Sequence, residues 1–377
     1  MTKSWIVGLL GASLLVYFAG RPFVDSILVR DFDDDLEMVT FRPGDTIRWR
    51  SEGRADTLVG PHGLPGWQPN GADFRVVLWG DSQVEGLCVA DRDKIHQQLI
   101  DQVAWYDSGL PFTCDCMPMG RSGTDARDWR DGMPAADRLW KPELHVWVVT
   151  DLEDLTALGT PTMPRSTTWS APSSRAVRLA HQLRADVLVA IARKRLRDPA
   201  GGWRSLDFAI GPRGTAAPTS LDSPNGNTAP ARNTAVGGLG LSDQVPAGNT
   251  EIDEATVAEV ERIAAEQAGR LLLVYAPATP RIHNGWLPNH PDDERFDSIQ
   301  ARLAARGIDV LDLRPDFRAL WDQWRLPTRG FHNGTPGLGH LNRAGNSLIA
   351  RRIVGALRDR VIAENSGPSS PSDRPDN

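Results

Sequence analysis

The chain has 377 residues, enough to bury one sizeable core, and a single catalytic domain with an insertion suits that length better than two equal domains. Its net charge of -6 gives no reason to expect a nucleic-acid partner. The eight histidines are scattered without HExxH or CxxC spacing, so neither a metal nor another cofactor is expected. The three cysteines, Cys88, Cys114 and Cys116, are odd in number and fix no redox compartment.

At the N-terminus Lys3 precedes a charge-free run from Trp5 to Gly20, which Arg21 closes. As a helix those residues span roughly 24 Å, a little short of a ~30 Å hydrocarbon core, and Trp5 and a snorkelling Arg21 extend the reach. Tyr17-Phe18-Ala19-Gly20 offers no clear A-x-A cleavage site. Residues 1–21 are therefore read as a transmembrane helix, an uncleaved anchor, with a cleaved signal sequence as the alternative. Lys3 and Arg21 nearly balance, so charge does not fix the orientation.

Residues 22–72 carry short strand-like pieces, Met38 to Phe41 and Thr46 to Trp49, interrupted by Pro43-Gly44, Pro61, Pro65-Gly66 and Pro69-Asn70-Gly71. This composition predicts an extended, turn-rich lead-in packed on the following domain. Next comes an apolar run of strand character, Val76-Val77-Leu78-Trp79, which ends in Gly80-Asp81-Ser82 before residues able to start a helix. A serine there sits on a strand-to-helix turn. Its hydroxyl projects from the end of the sheet, beside helix N–H groups that lack intrahelical partners and favour negative charge. A nucleophile and part of an oxyanion hole can meet at such a point.

Further along, Ile95, Leu99, Ile100 and Val103 share one face of a helix predicted over 93–103, with Asp91 or Asp93 as its cap. A short strand near Phe112 to Met117 leads into Gly120-Arg121-Ser122-Gly123. Leu144 to Val149 reads as a buried strand that ends in the charged loop Asp151 to Asp154. The alternation of strand, helix and loop predicts a parallel sheet with its site at the strands' C-terminal ends. Ala176 to Arg197 reads as one basic amphipathic helix with a solvated polar face, and 199–249 as a flexible insertion. Regular structure resumes with a capping box at Thr250 and Asp253. It continues through a strand over Leu271 to Ala276, a helix over Asp297 to Arg306, a strand over Ile308 to Leu313 and a final helix over Asn342 to Val361. Residues 363–377 form a polar tail expected to be disordered.

Near the end of the folded part, Gly339-His340-Leu341-Asn342 places a histidine at a helix start. With Ser82 before the first helix of the domain and His340 before the last, residues 73–362 resemble the SGNH (GDSL-like) hydrolase superfamily in its membrane-anchored bacterial form. The resemblance covers the Gly80-to-Gly86 block and the block around His340. It implies a three-layer α/β/α fold with a central parallel sheet (SGNH/flavodoxin-like), Ser82 as nucleophile and His340 as base. It also implies an oxyanion hole from the Ser82 and Gly123 N–H groups, with Gly120 as an alternative. In two places the chain departs from the family pattern. Thr150 stands where an asparagine oxyanion donor is usual and is expected to complete the hole through its shorter hydroxyl, unless Asp151 itself takes that place; Gly337 stands where an aspartate three residues before the histidine is usual. The expectation is thus a Ser82–His340 dyad with a backbone carbonyl on the second imidazole nitrogen, with Asp312 structural. His332 and Asn333 are substrate-contact or loop residues.

The expected activity is a serine esterase or acyl hydrolase outside the cytoplasmic membrane, its catalytic domain periplasmic or extracellular. Its partners would be an acylated glycan or lipid substrate and the membrane, through the N-terminal helix. Two alternatives stand beside it: an O-acyltransferase of the same fold acting on an exopolysaccharide, and a degenerate, non-catalytic binding protein of polysaccharide assembly.

Overall fold

The computed structural model describes residues 2–105, 108–160, 172–197, 250–277 and 291–365. The insertion read over 199–249 and the tail from 366 lie outside them.

The apolar N-terminal run forms helix α1 (Thr2–Ala19), with Trp5, Val7, Leu9, Leu15 and Phe18 all exposed. Among the described residues no helix is long and apolar enough to cross a membrane, so the reading of residues 1–21 as a transmembrane helix is not supported. The lead-in is two antiparallel hairpins, β1 (Arg30–Asp33) with β2 (Met38–Phe41) and β3 (Thr46–Trp49) with β4 (Ala55–Leu58). The pieces read at 38–41 and 46–49 are strands with those bounds. Phe41, Ile47 and Val59 alternate inward to a small core of their own, shared with Leu87 of the domain.

The domain begins with β5 (Phe74–Gly80), a single-turn helix α2 (Ser82–Glu85) and α3 (Ile95–Ala104), followed by β6 (Cys114–Gly120), α4 (Ala126–Trp140), β7 (Leu144–Val149) and α5 (Leu152–Thr156). After α6 (Arg175–Gln182) and α7 (Asp186–Arg197) come α8 (Thr250–Glu266), β8 (Leu271–Tyr275), α9 (Pro291–Ala305), β9 (Val310–Asp312), α10 (Arg314–Trp324) and α11 (Arg343–Asn365). Strands β5 to β9 form one parallel sheet in the order β6-β5-β7-β8-β9. Helices cover both faces, so the strands alternate between two apolar layers rather than between core and solvent. Val77, Trp79, Trp147, Val149 and Tyr275 point to one layer, with Trp129 of α4 and Phe296 of α9. Val76, Leu78, Val146 and Val148 point to the other, with Leu99 of α3 and Ile353 of α11. This is the three-layer α/β/α arrangement expected.

Four local readings are corrected. Helix α3 starts at Ile95 behind Lys94, with no side-chain cap; Asp91 and Asp93 belong to a preceding 3-10 turn. The basic stretch is two helices, broken where Arg184 takes φ 54°. Those helices are not simply solvated, because α7 enters the lead-in through Asp186, which is buried and bonded to Arg21, Arg48 and the Ile27 N–H. Asp253 turns its carboxylate to Arg295 at 2.7 Å instead of closing a capping box.

Candidate active site

Strand β5 ends at Gly80, where a Cβ would lie 2.3 Å from the Val84 side chain, and its register partner Gly120 would bring one to 2.3 Å from the Glu85 nitrogen. Two glycines at that level let α2 sit directly on the sheet end. Asp81 caps α2, its Oδ1 accepting from the Gln83 N–H at 2.8 Å, and Gly86 closes the turn in the left-handed conformation at φ 60°. Ser82 is therefore the first residue of a helix, with its own N–H among those that have no intrahelical partner. Burial pushes the Asp81 carboxyl up, while its bond to the Gln83 N–H and the charge of Arg329 pull the other way.

His340 comes from the loop before α11. Gly337 and Gly339 both have φ near +85°, the Gly330 N–H donates to the His340 carbonyl at 2.9 Å, and buried Arg329 donates to the Gly339 carbonyl at 3.1 Å. Asn342 caps α11, accepting from the Ala344 and Gly345 N–H groups. Gln83 ties α2 to this loop by accepting the Leu341 N–H at 2.7 Å. With both turns fixed, His340 Nε2 lies 3.1 Å from Ser82 Oγ, so the two residues expected to work together are hydrogen-bonded.

The second imidazole nitrogen does not meet a backbone carbonyl. His340 Nδ1 is 2.6 Å from Oε2 of Glu52, and Oε1 of the same carboxylate accepts the His340 backbone N–H at 2.8 Å. Glu52 stands in the turn between β3 and β4, 288 residues away in sequence. Its carboxylate stands where a backbone carbonyl was expected, and the expectation of a bare Ser82–His340 pair is corrected accordingly. The fit accounts for Gly339, where a Cβ would stand 2.0 Å from Oε1 of Glu52. The Glu52 turn is itself held from behind. Asn333 Oδ1 accepts the Gly53 N–H at 2.8 Å, and its Nδ2 donates to the carbonyls of Gly53 and Arg50 at 2.7 and 3.1 Å. Asn333 thus clamps the acid's turn, while His332 lines a neighbouring cleft.

Burial alone would lower the His340 pKa, but its bonds to Cys88 and Glu52 outweigh that and push it up to about 10. Burial raises and the His340 ring lowers the Glu52 carboxyl, with a net shift below the ordinary value. Both shifts favour an imidazolium held against a carboxylate.

The remaining expected donors are placed less evenly. Thr150 is buried and its hydroxyl donates to Asp81 Oδ2 at 3.4 Å, so it braces the cap of α2. Gly123 is exposed at φ 78° in the turn after β6. That turn is stitched to the end of β5, because the Arg121 N–H and the Thr124 hydroxyl both donate to the Gly80 carbonyl, at 3.1 and 3.2 Å. Asp312 pairs with Arg314 at 2.8 Å, in keeping with the structural role expected of it.

No family model and no curated protein sequence matches the chain. Solved structures with similarity include a lipase/acylhydrolase from Enterococcus faecalis, at 14% identity and a TM-score of 0.37, covering 76% of this chain and 96% of that one. A second is LAE5, an alpha/beta hydrolase enzyme from the metagenome of Lake Arreo, Spain, at 11% identity and 0.39, covering 76% and 95%. A third is the acetyl xylan esterase AlAXEase, at 13% and 0.39, covering 75% and 100%.

Proposed function

We propose that this chain is an SGNH-type serine esterase that hydrolyses ester-linked acyl groups through a Ser82–His340–Glu52 relay. The single observation that carries the reading is the unbroken line of hydrogen bonds from Ser82 Oγ through both imidazole nitrogens to a carboxylate. As Ser82 attacks an acyl carbonyl, His340 Nε2 takes its proton, and Glu52 holds the ring and stabilises the imidazolium that forms. The developing oxyanion would be met by the N–H groups of Ser82 and Gly123. Collapse of the tetrahedral adduct expels the alcohol, which takes the proton back from Nε2. Water, activated by the same nitrogen, then releases the acid from the acyl-enzyme. The intact relay speaks against the non-catalytic alternative.

We place this activity outside the cytoplasmic membrane, on an acylated glycan or lipid, with α1 as the membrane attachment. Support comes from the exposed apolar side chains of α1. Beside its root, exposed Leu183 and Leu188 flank the break between α6 and α7, where the Tyr17 hydroxyl donates to the Leu183 carbonyl. The catalytic assignment is tested by hydrolysis of a short-chain acyl ester. Ser82→Ala should abolish turnover and His340→Ala should come close to it, with the double variant no worse than the poorer single one. Full activity in Ser82→Ala would remove the assignment.

A further inference from the structure

The relay leaves one buried nucleophilic group unused. Cys88 follows the left-handed turn at Gly86, is 3% exposed, and presents its thiol to the same two side chains that activate Ser82. One ligand atom from each of Glu52, Cys88 and His340 lies within 4.8 Å of the other two. The group is rigidly backed. A Cβ on Gly53, next to Glu52, would lie 2.1 Å from the Cys88 carbonyl, so the two turns are in direct backbone contact.

We propose that Glu52, Cys88 and His340 form an inhibitory site for a thiophilic divalent cation, zinc above all. A thiolate, an imidazole and a carboxylate are the ligand types zinc takes, with bonds of about 2.0 to 2.3 Å. In tetrahedral geometry such bonds put ligand atoms roughly 3.5 Å apart, so small side-chain rotations draw these three in. Three protein ligands leave a fourth position for water. Cys88 also lines an open cleft of about 740 Å³, together with Phe331, His332 and Asn342. Magnesium and calcium, which prefer all-oxygen sites, should be poor occupants.

Occupation switches the relay off whichever imidazole nitrogen binds. If zinc takes Nε2, the lone pair that accepts the Ser82 proton is used. If it takes Nδ1, the neutral ring must carry its proton on Nε2 and cannot accept another. Binding displaces the thiol proton, and any proton on the ligating nitrogen, into solvent.

The test measures binding and activity separately, because only the inhibition rests on the hydrolase reading. Full-length protein is dialysed against ZnCl2 and its bound metal counted, and short-chain ester hydrolysis is followed with and without ZnCl2. Wild type should hold one zinc per chain and lose activity reversibly on chelation. Cys88→Ala and Cys88→Ser, checked for unchanged melting and each compared with its own zinc-free rate, should resist zinc and bind it at least ~100-fold more weakly, the upper end of what even an outer-shell partner is worth. No zinc retained by wild type, or equal retention by both cysteine variants, overturns the site. Zinc retained through Cys88 by a chain without ester hydrolysis would keep the site and refute the proposed function instead.

Discussion

Glu52 is the residue on which the proposed chemistry turns, because one carboxylate grips both the ring and the backbone of His340. Its effect on the base has a definite sign. The free enzyme needs neutral His340, and a pKa near 10 means that this form grows as pH rises through the alkaline range. The kcat/KM of ester hydrolysis should therefore climb from neutral pH toward a plateau near or above pH 10. Cys88 and Glu52 together hold that pKa up, and Glu52→Gln keeps a hydrogen-bonding side chain but removes one of the two, so the midpoint should move down while the plateau falls by ~10²-fold or more. A pH–rate series on both proteins checks this. An unmoved midpoint would mean that Glu52 does not set the base.

At the scale of elements, the catalytic parts near Ser82 and His340 are legible in sequence because their turns announce themselves. Gly80-Asp81-Ser82 ends an apolar strand, and Gly339-His340 precedes an Asn-capped helix. The acid is not legible, because Glu52 lies in a hairpin turn before the domain and reaches His340 only through tertiary packing. The signals that bear on it were indirect: a Ser51-Glu52-Gly53 turn between two strands, and a glycine at 339 that tolerates a close neighbour. Helix α4 escaped because Gly132 and Pro134 interrupt its helical pattern, yet the Asp125–Asp128 capping box starts it and Trp129 and Met133 anchor it in the core. The hairpin's role gives a prediction of its own. Asn333→Ala removes all three bonds that clamp the Glu52 turn. At about 1 kcal/mol each in a partly exposed site, their loss should lower kcat by ~10-fold or more with KM little changed. Kinetics alongside a melting curve measure it, and an unchanged kcat would show the turn holds without Asn333.

For the whole molecule, residues 52, 82 and 340 meet in one hydrogen-bonded line, and the proposed membrane attachment lies at the N-terminal helix α1. If α1 holds the protein at the membrane with the rest outside, alkaline phosphatase fused after residue 40 should be active in a bacterial host and remain with the membrane fraction. An inactive, cytoplasmic fusion would overturn the proposed location and with it the envelope substrate. The proposed relay is a property of the complete fold, since its three side chains come from the lead-in hairpin, the first strand-to-helix turn of the domain and the loop before α11. The most direct test is the rate at which a fluorophosphonate probe labels the full-length protein, with the modified residue located by mass spectrometry. Labelling should fall on Ser82 alone and slow by ~10² or more in Glu52→Ala. Absence of labelling at Ser82 in wild type, or an equal rate in Glu52→Ala, would contradict the relay.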